Sequence, residues 1–364
     1  MQNKKPIIII SILCVIALAL GYWYGMPKEG SGHGEGNISD DSKGPSTTSL
    51  PPTKTSVPHP QKMIFRMQSS VPTDLAWYRD SKKIVAAGNG SNELCVWDLQ
   101  ESKIIMSKEG FGQSVAIGPP PHNLLYTFTK KGELVALHPV TGETSLRLLQ
   151  FQEPRRLRIS SDYKWLAVST RRTMFLYDLN KIGTTPATSM KMHRPAWIER
   201  FGFSPDGTRL AITHQYIGRF ECWDLRQLKV AYSKVIGKHL GCSHFSPDGR
   251  FLITPSIPTG VIHVLKVESG EEIGKLIGHA GGVSSVDFTK NGHYMVSCGD
   301  IYSQGKKSDG TIRIWDFKKG VQLKSWKANQ TRGTLIVKIS PNEKLLASCS
   351  RDGTVKVWGW NPRN

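Results

Sequence analysis

Seven short apolar segments of one kind recur along the chain, and they constrain the fold more than any other feature. Each has a large apolar residue near its end, at Trp97, Leu137, Tyr177, Trp223, Leu265, Trp315 and Trp358. Successive members lie 40, 40, 46, 42, 50 and 43 residues apart. A period of about 40–45 residues indicates a repeat architecture in which each unit is one small β-sheet.

The stretches between these segments complete each unit. A second apolar run of strand length precedes several of them, as in FLITP at 251–255 and LLASC at 345–349. Tight-turn sequences come before those runs, with SPDG at 204–207 and again at 246–249. Proline at the second turn position, followed by Asp and Gly, favours a tight turn. Each unit is therefore predicted to be a set of antiparallel strands.

Three of the recurring segments end in Trp-Asp, and with the period and the turns they resemble the WD40 family. The resemblance covers residues 61–364 and implies an all-β fold, a seven-bladed β-propeller of four-stranded sheets. It also implies a buried hydrogen-bonded network in the unit that matches best, formed by His279, Ser297, Asp309 and Trp315. The seventh unit keeps Ser348, Asp352 and Trp358 without the histidine, while units two and five lack the Trp-Asp pair. We expect packing to hold those two units together.

The last unit is one strand short when strands are counted from the first unit. The segment QKMIFRMQ, residues 61–68, precedes unit one and has no partner there. An unpaired strand edge is a template for pairing. We therefore expect residues 61–68 to lie beside TVKVWGW at 354–360 and to close the ring.

The N-terminal 25 residues are of another kind. Residues 7–25 form an uncharged run of 19 residues, about the length of a membrane-spanning helix, with Lys4 and Lys5 before it. The lysines predict a cytoplasmic N-terminus and a propeller outside the cytoplasm. Ala17-Leu18-Ala19 also has the form of a cleavage site, so a signal peptide removed from a secreted or periplasmic protein is the alternative. Residues 26–60, rich in Gly, Ser, Thr and Pro, are predicted to be a disordered linker.

Few sequence motifs in the chain point to catalytic chemistry. The chain has no GxSxG, HExxH or Walker sequence in a plausible context. His239, Cys242 and His244 form the closest approach to a metal-ligand cluster, but a fourth ligand is lacking nearby. We therefore expect no catalytic residue, no metal and no cofactor. A propeller hydrolase or lactonase with a site in the central channel is the alternative function.

Charge is the informative feature for function, since the formal net charge is +19. In a propeller of this type, the loops between second and third strands share one face, here called the top face, with the connections between blades. We count thirteen Lys or Arg residues in these loops against about six acids. The predicted partner-binding residues are Lys130, Lys131, Arg155, Arg156, Arg171, Arg172, Arg194, Trp197, Arg219, Lys306, Lys307, Arg332 and Arg351.

A one-sided positive field attracts anionic partners. The sequence therefore predicts a non-catalytic scaffold that is tethered to a membrane through residues 7–25 and binds an acidic protein segment or anionic lipid headgroups. A basic face that is merely solvated is the alternative. Nucleic acid is a less favoured partner, because the domain is predicted to be exported.

Overall fold

The computed structural model describes residues 61–362, except 172, 182–185, 192–197, 215–216, 238, 300–308 and 329–332. The predicted anchor at 1–25 and the predicted linker at 26–60 lie outside the described residues. Within the described part of the chain, no helix is both long and apolar enough to cross a bilayer.

The described residues form 28 β-strands and one short 3₁₀ helix, Leu179–Lys181. The first half of the strands are β1 (Gln61–Arg66), β2 (Ser70–Trp77), β3 (Lys83–Gly90), β4 (Leu94–Asp98), β5 (Lys103–Lys108), β6 (Phe111–Ile117), β7 (Leu125–Thr129), β8 (Glu133–Leu137), β9 (Thr144–Gln150), β10 (Pro154–Ile159), β11 (Trp165–Thr170), β12 (Thr173–Asp178), β13 (Thr188–Lys191) and β14 (Ile198–Phe203). The second half are β15 (Arg209–His214), β16 (Arg219–Asp224), β17 (Lys229–Val235), β18 (His244–Phe245), β19 (Phe251–Pro255), β20 (Ile262–Lys266), β21 (Glu272–Leu276), β22 (Val283–Phe288), β23 (Tyr294–Gly299), β24 (Thr311–Asp316), β25 (Val321–Lys327), β26 (Thr334–Ile339), β27 (Leu345–Ser350) and β28 (Thr354–Gly359).

These strands make seven four-stranded antiparallel sheets, the seven blades of the predicted propeller. Blades one to six are β2–β5, β6–β9, β10–β13, β14–β17, β18–β21 and β22–β25, each in chain order. Because each blade is a simple meander, its turn between second and third strands lies on the top face with the connection to the next blade. The turns between first and second and between third and fourth strands lie on the opposite, bottom face.

The predicted SPDG turns join first to second strands. In the first of them Ser204 Oγ donates to Asp206 Oδ1 at 2.5 Å, and the same aspartate oxygen accepts from Thr208 N at 3.1 Å. Gly207 has a φ of 67°, a left-handed conformation that glycine adopts without strain. The turn chemistry read from the sequence is thus the chemistry that reverses the chain at the bottom face.

The core is a ring of seven apolar clusters, one at each junction between adjacent blades. Each recurring large residue of the repeat belongs to the cluster that its blade shares with the preceding one. Trp315, for example, packs between blades five and six with Ile253 and Val264. The repeat is therefore a packing requirement, because every junction needs one bulky side chain at this place.

The seventh blade has the order β1-β28-β27-β26, so the N-terminal strand closes the ring as predicted. β1 pairs antiparallel with β28, with Phe65 opposite Val355 and Met63 opposite Val357. The Phe65 ring also stacks on Trp97 of blade one, with the ring centroids 5.5 Å apart. The closing strand thus completes both a sheet and the junction between blades seven and one.

We predict that deleting residues 61–68 abolishes the cooperative thermal transition of the protein. The deletion removes β1 and the buried side chains of Phe65 and Met67, and core side chains of this size each contribute about 2–5 kcal/mol to stability. It also exposes the edge of β28. The measurement is thermal denaturation of the full chain followed by circular dichroism.

The control is a deletion of equal length in the predicted linker, residues 43–50, which should leave the melting temperature unchanged. If both deletions melt like the intact chain, β1 does not close the ring in solution.

Candidate functional site

The predicted network of blade six is present and buried. His279 Nδ1 lies 2.6 Å from Asp309 Oδ2, and His279 Nε2 lies 2.7 Å from Ser297 Oγ. Trp315 Nε1 donates to the same serine oxygen at 2.8 Å. The four side chains form one chain of hydrogen bonds that ties the second and third strands to the turn between them and to the preceding connection.

The electrostatics of this network fit a neutral histidine. Burial lowers the pKa of His279 below its ordinary value, against the opposing effect of the Asp309 carboxylate. Burial alone would raise the pKa of Asp309, but hydrogen bonds from His279 and Thr311, together with the charge of nearby Arg313, hold it far below its ordinary value. Serine accepts from the indole and donates to Nε2, which places the imidazole proton on Nδ1. The network is enclosed and fully used, so its role is structural.

Other blades keep only parts of this arrangement. In blade seven Trp358 Nε1 donates to Ser348 Oγ at 2.9 Å, while Asp352 Oδ1 accepts from Thr354 N at 3.0 Å within its own turn. The position equivalent to His279 is Gln330, which lies outside the described residues. Blades two and five carry fully buried Leu137 and Leu265 at the tryptophan position and rely on packing, as expected.

Blade one and blade four show what happens without the serine. Blade one has Ala86 at that position, and Trp97 Nε1 has no hydrogen-bond partner among the described residues. In blade four, Trp223 Nε1 instead donates to Glu221 Oε2 at 3.1 Å. The tryptophan therefore packs at this position even in blades where no serine accepts a hydrogen bond from its indole N–H.

On the top face, the structure brings three of the predicted cations together. Lys130 and Lys131, exposed in the turn between β7 and β8, line a groove of about 300 Å³ with Arg155 of β10. We call this the basic groove; Glu153 is its one acidic residue among those described. Exposed Arg171 borders an adjoining cavity of about 430 Å³ and lies 3.9 Å from the Glu153 carboxylate.

The remaining predicted residues are more scattered. Arg219 is exposed at the start of β16, and Arg351 is half-buried in the turn between β27 and β28. Six predicted residues lie outside the described residues: Arg172, Arg194, Trp197, Lys306, Lys307 and Arg332.

Arg156 lies elsewhere than its predicted place in a top-face loop. It belongs to β10 and lines the central channel, where its guanidinium donates to the carbonyl oxygens of Thr73 and, at 3.5 Å, Gln113. The register of β10 shifts between Pro154 and Arg156, which takes Arg155 out of the strand alternation. Arg156 and Arg158 therefore share the channel side of the strand, with buried Leu157 on the other.

Three further cations line the channel, and they lie on strands rather than in the top-face loops. Arg158, Arg200 and Lys338 lie on the first strands of blades three, four and seven and line the same cavity as Arg156. Each stands next to a buried apolar residue on its strand, at Leu157, Phe201 and Val337. Alternation of charged and apolar residues in these strands is the signal that identifies them.

The candidate metal ligands do not form a metal centre. Cys242 and His244 line the channel cavity, and His239 precedes them in a loop. Over the described part of the chain, no group of three or more His, Cys, Asp or Glu side chains is arranged to hold a metal ion.

Comparison with known proteins agrees with this architecture. Residues 270–316 and 320–359 match the family model described as WD domain, G-beta repeat. These segments supply the last strand of blade five and the strands of blades six and seven apart from β1, so the chain carries WD40 repeats within a seven-bladed β-propeller. This confirms the family resemblance read from the sequence.

Among individual proteins, the chain is similar to the target of rapamycin complex subunit LST8 of Mus musculus, 26% identical over 229 residues, covering 58% of this chain and 65% of that protein. It is also 27% identical over 216 residues to the COMPASS component SWD3 of Saccharomyces cerevisiae, covering 55% and 62% of the two chains. The similarity thus spans slightly less than two thirds of the length of either relative.

We predict that Ser297→Ala destabilises the protein more than Ser348→Ala. Both changes remove the acceptor of a buried indole N–H, but only Ser297 also donates to a histidine. An unmet buried polar group costs about 1–3 kcal/mol, so we expect a loss of about 1–2 kcal/mol for Ser348→Ala and about 3 kcal/mol for Ser297→Ala. Urea denaturation of the full chain measures both, and equal losses would show that the contact with His279 contributes nothing.

Proposed function

We propose that this chain is a non-catalytic protein-interaction scaffold, a propeller tethered to a membrane whose basic top face binds an acidic segment of a protein partner. The observation that carries the proposal is the basic groove between blades two and three. There, Lys130, Lys131 and Arg155 line one concave site, and Glu153 is the one carboxylate among its described residues.

The groove favours a protein segment over a flat anionic surface. It is a depression of about 300 Å³, large enough to receive a side chain. Two of its cations are exposed lysines, whose charge attracts a partner over about 8–10 Å at physiological salt. Phe128 and Pro154 also line the groove, but the Phe128 ring is buried, so polar and charged groups make most of its surface. An acidic segment would therefore be held chiefly by charge.

The names of the relatives support a protein partner. LST8 is a subunit of the target of rapamycin complex, and SWD3 is a component of COMPASS. Both are parts of multiprotein assemblies, and the present chain shares their repeat. We infer that it too acts by holding proteins together rather than by catalysis.

The tether is argued from the sequence. Residues 7–25 would anchor the chain, or direct its export before cleavage, and residues 26–60 would let the propeller stand away from the bilayer or turn back to it. With the lysines on the cytoplasmic side, the propeller lies outside the cytoplasm. Anionic headgroups are then the second ligand that the top face could meet.

A hydrolase with a channel site is not favoured by the geometry there. The Asp74 carboxylate, a natural candidate for acid–base chemistry, accepts hydrogen bonds from Ser114 Oγ, Val115 N and both terminal nitrogens of Arg158. These contacts keep its pKa below the ordinary value despite burial. A carboxylate so fully engaged is held for structure.

We predict that reversing Lys130, Lys131 and Arg171 to Glu weakens partner binding at least about tenfold, or about 1.4 kcal/mol. The measurement is quantitative co-purification from the native membrane at several salt concentrations. A matched variant reverses three exposed cations of bottom-face turns, Arg226, Lys290 and Lys318, and should retain the partner.

Both variants must first show the melting temperature of the natural chain. A partner lost from the top-face variant alone, and released by salt, supports the proposal. Identical partners in all three chains, or a partner held at several hundred millimolar salt, would contradict it. Binding to vesicles of phosphatidylserine, with no protein partner affected, would assign the face to headgroups instead.

A further inference from the structure

The central channel holds a second positively charged site, separate from the basic groove. A cavity of about 310 Å³ is lined by first strands from several blades. Ser161, Ser204 and Pro205, which belong to bottom-face turns, also line it. The cavity therefore runs along the channel from the level of Arg156 down to the bottom-face turns.

The lining is rich in cations. Among the described residues around the cavity, Arg156, Arg158, Arg200 and Lys338 are basic and Asp74 is the one acid. Arg158 is matched to Asp74 through two hydrogen bonds of 2.7 and 3.0 Å. Lys338 lies 3.4 Å from Asp287 on the neighbouring first strand. The four basic side chains outnumber the two carboxylates, Asp74 and Asp287, so the formal charge around the cavity is +2.

Arg200 is the side chain whose bonding capacity is least used. Its Nη1 donates to Ser284 O at 3.0 Å, across from blade four to blade six. Its Nε is buried and has no hydrogen-bond partner in the described part of the chain. Buried donors normally have an acceptor, from protein, water or ligand. This atom is enclosed, so a ligand in the cavity would meet the terminal nitrogens of Arg200 instead.

The histidine in the cavity responds to the same positive field. Burial, together with the charges of Lys338, Arg158 and Arg200, lowers the pKa of His244 well below its ordinary value. The imidazole is thus neutral at physiological pH. Positive charges on three different strands point toward one place, which is the arrangement that stabilises an anion.

We propose that the channel cavity binds a small phosphate-type oxyanion, inorganic phosphate or the phosphate group of a small ester, through Arg200, Arg156 and Lys338. Guanidinium groups present forked donors that match phosphate oxygens in pairs. The volume is at the lower end of the range for small-molecule pockets, about 300–1,000 Å³. A phosphate with a short organic group fits this size, and its charge balances the excess of the lining.

The bound anion would also join blades that are far apart in the chain. Arg156, Arg200 and Lys338 come from blades three, four and seven, so one ligand contacts three blades of the ring. A ligand that binds only the folded state raises the melting temperature. We expect inorganic phosphate to raise it by about 4 °C near saturation.

The test is isothermal titration calorimetry on the purified full chain with inorganic phosphate, glycerol 3-phosphate and citrate, at matched ionic strength in chloride. We expect saturable binding of a phosphate compound, weakened at least about tenfold by Arg200→Gln. Arg226→Gln, at an exposed bottom-face turn, is the matched control and should bind as the natural chain does. If Arg200→Gln fails to fold, Lys338→Gln replaces it.

A second readout uses Cys242, which lines the cavity and is half-buried, whereas Cys95, Cys222, Cys298 and Cys349 are buried. With Cys14 changed to Ser, phosphate should slow alkylation of Cys242 by N-ethylmaleimide, and Arg200→Gln should abolish that protection.

Saturable phosphate binding with both effects supports the proposal, and preference for the ester over the free ion names the source. Binding of citrate alone would overturn the assignment to phosphate. Binding that persists in Arg200→Gln, or no saturable binding at all, would overturn the site. The top-face variant should bind phosphate normally, so failure of the channel site and failure of the scaffold proposal are distinguishable.

Discussion

The pairing of β1 with β28 is the contact on which the rest of the structure depends. Seven blades in a ring have seven junctions, and each junction is buried only if both its blades are complete. Without β1, the Phe65 ring would no longer cover Trp97, and the junction between blades seven and one would open. An open ring would expose strand edges and leave the channel without a defined width. Closure thus turns seven small sheets into one cooperative domain.

The closed ring also places basic side chains at two sites, the central channel and the top face. Each blade's first strand turns one side toward its neighbours and the other toward the channel, so a cation at alternate positions becomes a channel group, as Arg158 and Lys338 do. Turns between second and third strands stand at the top face, where Lys130 and Lys131 meet Arg155. Two basic sites, one among the top-face loops and one in the channel, follow from the same meander. The basic groove lies among top-face loops and suits a protein segment, while the channel cavity lies between first strands and suits a small anion.

Much of this was predictable from the sequence, because a repeat needs the same side chain at each junction. The spacing of residues such as Trp97 and Trp315 predicts the blade count, the SPDG turns predict the bottom-face reversals, and the unpartnered segment at 61–68 predicts the closure. The hydrogen bonds of His279 followed from the family resemblance. All of these depend on local patterns or on counting strands.

The rest required three dimensions. The sequence pattern predicts a loop position for Arg156, and this prediction is wrong. A register shift beside Pro154 decides which of two adjacent arginines enters the channel, and no local pattern marks that shift. Arg200 and Lys338 are 138 positions apart and meet only because the ring closes. The missing partner of Trp97 follows from Ala86, whose place opposite the indole depends on strand register.

Hydrogen exchange of the full chain, read by mass spectrometry, tests the central claim most directly. If closure makes one cooperative ring, amides in β1 and β28 exchange as slowly as those of interior strands such as β23, since all open only on global unfolding. Peptides covering 61–66 and 354–359 would then share the protection of 294–299. Rapid exchange in β1 and β28, with the other blades still protected, would contradict the account, because the ring would stand without its closing strand.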